Sequence, residues 1–239
     1  MHVKMNREQK LMHVYFMPGM AADSAIFEKI LLPQDRFEVH FLEWKMPERD
    51  ESLEAYAKRM LKYIQHENIV LIGVSFGGVI VQEMAKFLDI YRLIIISSVK
   101  CSDELPPRMK FASKTGLFKI IPTGLAHYVD HFEKFAFGDF LKKRAKLYKQ
   151  YISITDKKYL DWAIKNMVNW NCDKPDEKVI HIHGDEDEVF PIKNIENAIV
   201  VKGGTHIMII NRFKWFNENL PELILSGKLK KKRKNQKIN

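Results

Sequence analysis

One stretch limits the possible folds of this chain more than any other. Residues 69–74 form an apolar, β-branched run that ends in Gly73-Val74-Ser75-Phe76-Gly77, and an amphipathic run over 79–88 follows at once. A strand, a tight turn carrying a serine and a helix are the parts of a nucleophile elbow. Gly73 and Gly77 remove the Cβ atoms that would collide where strand and helix approach. Ser75 is then expected at the carboxyl end of a strand, beside a helix N-terminus whose free N–H groups favour negative charge. The same residues also fit a Gly-rich strand–helix turn with an ordinary serine; the flanking strand and helix favour the functional reading.

The rest of the chain supplies the setting. Residues 11–17 read as a short strand broken at Pro18-Gly19, and Asp23 or Ser24 can cap a helix burying Ile26, Phe27, Ile30 and Leu31. Residues 37–44 read as a second strand. Leu53, Tyr56, Ala57, Met60, Leu61 and Ile64 recur at helical spacing behind Ser52, a cap candidate. After the Ser75 unit, residues 92–97 are too short for a helix and suit a strand covered on both faces. Strands alternating with helices predict βαβ crossovers and a parallel sheet.

That rhythm stops near residue 100. Residues 101–175 hold no convincing strand, show helical periodicity after Pro106-Pro107, and are rich in aromatics from Phe111 to Trp170. They predict a helical cap inserted over the strand ends, its aromatics mostly packing onto the core and some lining an apolar pocket. The sheet resumes at 178–183 and at 198–201, with a closing helix from about Ile207 through Phe213, Phe216 and Leu220. The expected organisation is a core of 1–100 and 176–226, a cap of 101–175, and a basic tail of 227–239.

Charge bears on partners. The formal charge is +9, but the last thirteen residues carry seven lysines and arginines and no acid, and without those seven the charge is +2. The excess therefore belongs to a tail read as disordered and solubilising, with weak polyanion contact as the alternative. Nucleic acid is not the expected partner. Cys101 and Cys172 are too few for a disulfide framework or a thiolate metal site. Residues 1–10 show no apolar signal core, and no run approaches the roughly 18 apolar residues of a membrane span. A cytoplasmic protein with no membrane insertion is expected.

A nucleophilic serine needs a base, and the base needs a group that fixes its tautomer. His206 follows the last strand and Gly203-Gly204. The turn after the preceding strand offers Asp185, Glu186, Asp187 and Glu188. All three loops fall on the carboxyl edge of the sheet, where open parallel sheets place their sites.

In this order of serine, acid and histidine the chain resembles the α/β-hydrolase superfamily over nearly all its length up to the tail. His183-Gly184-Asp185-Glu186-Asp187-Glu188-Val189-Phe190-Pro191 is similar to the family's acid loop, and the resemblance points to Asp187 as the triad acid. Gly203-Gly204-Thr205-His206-Ile207-Met208 resembles its histidine loop. The first turn departs: Met17-Pro18-Gly19-Met20 stands where the family often has His-Gly. Backbone N–H groups of Met20 and Phe76 can still form an oxyanion hole. With no room for extra leading strands, the expectation is an α/β-hydrolase fold of about six mostly parallel strands with helices on both faces.

The resemblance implies a serine hydrolase for small or medium apolar esters, with no cofactor and no metal. Alternatives are a non-catalytic ligand-binding protein, an acyltransferase or a carbon–carbon bond hydrolase. Asp185 and Asp103 remain rival acids. His181 and His183 with Asp185 are a possible metal set, against a core role for His181 and an acid-loop role for His183. His127 and His131 have i, i+4 spacing but lack a metal-binding motif.

Overall fold

A computed structural model describes residues 11–120, 123 and 151–229. Residues 1–10, most of the basic tail, His127, His131 and the aromatics from Tyr128 to Tyr148 lie outside the described residues.

Six strands form one sheet: β1 (Met12–Met17), β2 (Phe37–Phe41), β3 (Ile69–Val74), β4 (Ile90–Ile96), β5 (Ile180–Gly184) and β6 (Ile199–Val201). Their order is β2-β1-β3-β4-β5-β6 and every pairing is parallel. The strands alternate between two cores because side chains project from a strand with period two. Leu71, Leu93 and Ile95 face one side, and Val70, Ile72, Val74, Ile94 and Ile96 the other. β3 is buried along its whole length, as expected of a strand covered on both faces.

Helices α1 (Leu53–Met60) and α2 (Phe76–Ala85) pack on the first face. The Ser52 hydroxyl caps α1 by accepting from the Ala55 N–H at 3.1 Å. On the second face lie α5 (Met208–Asn211) and α6 (Phe213–Ser226). Between β4 and β5 the described helices are α3 (Pro107–Thr115) and α4 (Lys157–Val168). No described helix is long and apolar enough to cross a membrane.

Three local expectations change. The segment after Asp23 is one 3₁₀ turn, Ser24–Phe27, which buries Ile26 and Phe27 but leaves Leu31 69% exposed. Pro33, two residues further on, disfavours helix at the residue before it. β2 stops at Phe41, and Leu42 and Trp44 reach the core from the loop that follows. The closing helix is split at Arg212, whose guanidinium donates to the Gly203 carbonyl at 2.7 and 3.1 Å.

The order of strands determines where a site can form. From β1 the sheet grows one way through β2 and the other way through β3. Loops leaving the carboxyl ends of β1 and β3 therefore diverge and open a crevice at this switch point. The loop after β1 carries Met20, and the turn after β3 carries Ser75.

Candidate active site

Ser75 sits between β3 and α2 with φ 52° and ψ −123°. This positive φ is uncommon for a residue with a Cβ and is a strained conformation of the kind concentrated at functional sites. Close packing enforces it. A Cβ on Gly73 would come within 2.3 Å of the Gly77 carbonyl oxygen, and one on Gly77 within 2.2 Å of the Pro18 carbonyl oxygen. The two glycines thus let α2 start directly against both β3 and the turn after β1. From just beyond β4, the Ser98 hydroxyl donates to the Ser75 carbonyl at 2.7 Å and fixes the turn from behind.

The loop carrying Met20 is restrained by groups other than the histidine that the resemblance would lead one to expect. The Trp44 indole N–H donates to the Gly19 carbonyl at 2.9 Å, and the Trp44 ring stacks on Phe76 at 5.4 Å. The Ala21 carbonyl accepts from the Ser153 and Ile154 N–H groups at 2.9 and 3.1 Å. Tryptophan and the chain beyond β4 thus supply the restraint.

His206 reaches Ser75 from the other side of the crevice. Its Nε2 lies 2.9 Å from Ser75 Oγ, and its Nδ1 lies 2.9 Å from Asp187 Oδ2 and 3.2 Å from Oδ1. Asp187 is buried, and its Oδ1 also accepts from the Val189 and Phe190 N–H groups at 2.8 and 2.9 Å. Two backbone donors and one imidazole therefore compensate a carboxylate taken out of water.

The rival acids are engaged elsewhere. Asp185 Oδ1 accepts from the Gly203 N–H at 2.6 Å, so this residue anchors the turn that leads to His206. Asp103 is solvent-exposed and pairs with Lys110 at 3.9 Å. The set His181, His183 and Asp185 does not converge either. The two buried imidazoles contact each other, His181 Nε2 to His183 Nδ1 at 3.1 Å, while Asp185 points to Gly203.

Behind Asp187 lies a polar row the sequence hardly announces. His183 Nε2 donates to the Phe190 carbonyl at 2.8 Å and lies 3.5 Å from Asp187 Oδ2. Burial holds the pKa of both His183 and His181 down, so both imidazoles are neutral. With His183 Nε2 donating, its Nδ1 accepts from His181. His181 Nδ1 in turn faces Glu104, whose pKa burial raises. His183 thus braces the acid loop, in line with the role expected for it.

Ser75 and His206 open into a cavity of about 500 Å³. Its wall is almost wholly apolar and includes Met20, Ile26, Met109, Ala112, Ile164 and Met167. α3 and α4 supply four of these six side chains. The Arg108 guanidinium secures α3 to the acid loop by donating to the Glu188 and Val189 carbonyls at 2.8 and 2.7 Å. Tyr159 on α4 places its hydroxyl 3.4 Å from the Ala21 N–H.

No protein-family model matches the sequence. No curated protein matches it either. Solved structures do resemble it. An α/β-hydrolase fold protein from Burkholderia ambifaria aligns over 92% of this chain and 91% of its own, with TM-score 0.62 and 14% identity. A bromoperoxidase from Bacillus anthracis aligns over 91% and 93%, with TM-score 0.64 and 18% identity. An esterase from Exiguobacterium antarcticum aligns over 90% and 92%, with TM-score 0.63 and 14% identity. With six parallel strands in one sheet and neighbours matched over nearly their full length, the chain has the α/β-hydrolase fold.

Proposed function

We propose that this protein is a serine hydrolase acting on carboxylic esters with an apolar acyl part. The observation that carries the reading is the unbroken relay from buried Asp187 through His206 to Ser75 Oγ, at the mouth of an apolar cavity. The structural neighbour from Exiguobacterium antarcticum is an esterase.

In this reading Ser75 Oγ attacks the ester carbonyl while His206 Nε2 takes its proton. Asp187 holds Nδ1–H and stabilises the imidazolium. The carbonyl oxygen becomes an oxyanion facing the N–H groups of Met20 and Phe76, the latter at the N-terminus of α2. Such a donor contributes about 2.7–4 kcal/mol to the transition state. The C–O bond to the alcohol then breaks, and His206 returns its proton to the departing oxygen. Water, deprotonated by His206, attacks the acyl-enzyme and releases the carboxylic acid and free Ser75. Helices α3 and α4 act as a cap that shapes the acyl pocket, and no step requires a cofactor.

Acyl length tests the reading. Each buried CH₂ contributes about 0.8 kcal/mol, so kcat/KM for p-nitrophenyl esters rises about fourfold per added methylene until the cavity is filled. A flat profile from acetyl to octanoyl, or hydrolysis undiminished in Ser75→Ala, would contradict it.

A further inference from the structure

A second cluster of chemically active side chains lies at the far end of the strands from Ser75. The β1–β2 register pairs His13 with Glu38 and Tyr15 with His40. Residues in register across a parallel pair share a face, so all four stand on one side of the sheet. The loop between α1 and β3 then lays His66 over them. The His13 and His66 rings stack at 3.5 Å with 9° between their planes. One ring nitrogen of each of the three histidines lies within 4.8 Å of the other two.

The spacing suits a small divalent ion. A tetrahedral zinc ion bound at about 2.0–2.1 Å separates neighbouring nitrogen ligands by about 3.3 Å. His13 Nδ1 and His40 Nε2 are 3.1 Å apart. The half-exposed Glu38 carboxylate flanks the pair, one oxygen 3.4 Å from His13 Nδ1 and the other 3.9 Å from His40 Nε2, outside the set of three mutually close ring nitrogens. The His13 and His40 side chains are 16% and 23% exposed, so an ion can enter from solvent.

The surroundings also fit. The Tyr15 hydroxyl accepts from the Gln65 N–H at 3.1 Å and lies 2.6 Å from His66 Nδ1. Its remaining lone pair can take an Nδ1–H proton, leaving Nε2 as the ligand; metal-bound histidines usually donate their second N–H in this way. A network of neutral imidazoles would explain the 3.1 Å contact alone. Three ring nitrogens within 4.8 Å of one another can in addition share one ion.

We propose that His13, His40 and His66, with water at the fourth position, form a zinc site that clamps β1, β2 and the loop before β3. Three imidazoles and a water suit zinc among the divalent ions, with copper and nickel as competitors. The site stands apart from Ser75 and does not depend on the ester-hydrolase reading.

The test uses the full-length chain stripped with a chelator and titrated with Zn²⁺ by calorimetry and with Co²⁺ by visible absorption. Zinc is expected to bind at one equivalent, and cobalt to give the intense d–d bands of a tetrahedral site. Affinity falls about 100-fold or more in His40→Gln and in His66→Gln, and about 10-fold in Tyr15→Phe. It is unchanged in His206→Gln, which excludes the Ser75 site as the binder. At a free zinc concentration about 100 times Kd, the thermal midpoint rises by about 5–10 °C. Absence of saturable binding to the wild type overturns the proposal, as does wild-type affinity in both histidine variants. Should those variants fail to fold, an octahedral cobalt spectrum in the wild type overturns it equally.

Discussion

Replacing Ser75 with alanine lowers kcat by about 10⁶-fold, the scale set by removal of the nucleophile from a serine–histidine–acid relay. The described side-chain hydrogen bond of Ser75 goes to His206, and the turn itself is fixed through its backbone by Ser98, Gly73 and Gly77. The variant therefore keeps its fold, and its stability changes by less than about 1 kcal/mol. Substrate affinity, measured as Kd for a slowly hydrolysed ester, also stays near the wild-type value because the apolar wall is untouched. A loss of both activity and binding would place Ser75 in a structural role instead. Purified variant retaining turnover would remove it from the chemistry altogether.

Asp187→Asn lowers kcat by about 10⁴-fold while Asp185→Asn stays close to wild type. The hydrogen bonds give the reason. Asp187 Oδ1 is held by two backbone N–H groups, so an asparagine keeps its carbonyl oxygen there and turns its NH₂ toward His206. His206 Nδ1 must then accept, its proton moves to Nε2, and the imidazole faces Ser75 as a donor rather than a base. An asparagine at 185 still accepts from the Gly203 N–H through its carbonyl. Steady-state kinetics on the two variants, with circular dichroism to verify folding, separates the acids. Equal losses, or a larger loss at 185, would reverse the assignment.

The Ser75 site was legible in sequence because its parts are local. An apolar run, two glycines flanking the serine and a following helix are all read within twelve residues, and short-range sterics force the geometry they imply. Asp187 and His206 were legible as residues of loops after strands, and the resemblance to the superfamily preferred Asp187 over Asp185. What distinguishes the two carboxyls physically is tertiary. Asp187 meets His206, nineteen residues further along the chain, whereas Asp185 serves Gly203, eighteen residues further along.

The zinc cluster is the opposite case. His13, His40 and His66 lie about 26 residues apart, in no local motif, and only the β1–β2 register and one loop bring them together. The alternation His13-x-Tyr15 beside Glu38-x-His40 was the available signal, and it becomes meaningful only once the two strands are paired. The split at Arg212 escaped for a similar reason. The apolar spacing continues across it, while the guanidinium is drawn to a carbonyl in the turn before His206.

The most direct test of the central claim is the intact mass of the protein after treatment with a fluorophosphonate. An activated Ser75 displaces fluoride, forming an Oγ–P bond, and His206 takes the serine proton. The account predicts one adduct on the wild type and none on Ser75→Ala or His206→Ala. A folded wild type without an adduct, or an adduct persisting in Ser75→Ala, would contradict it.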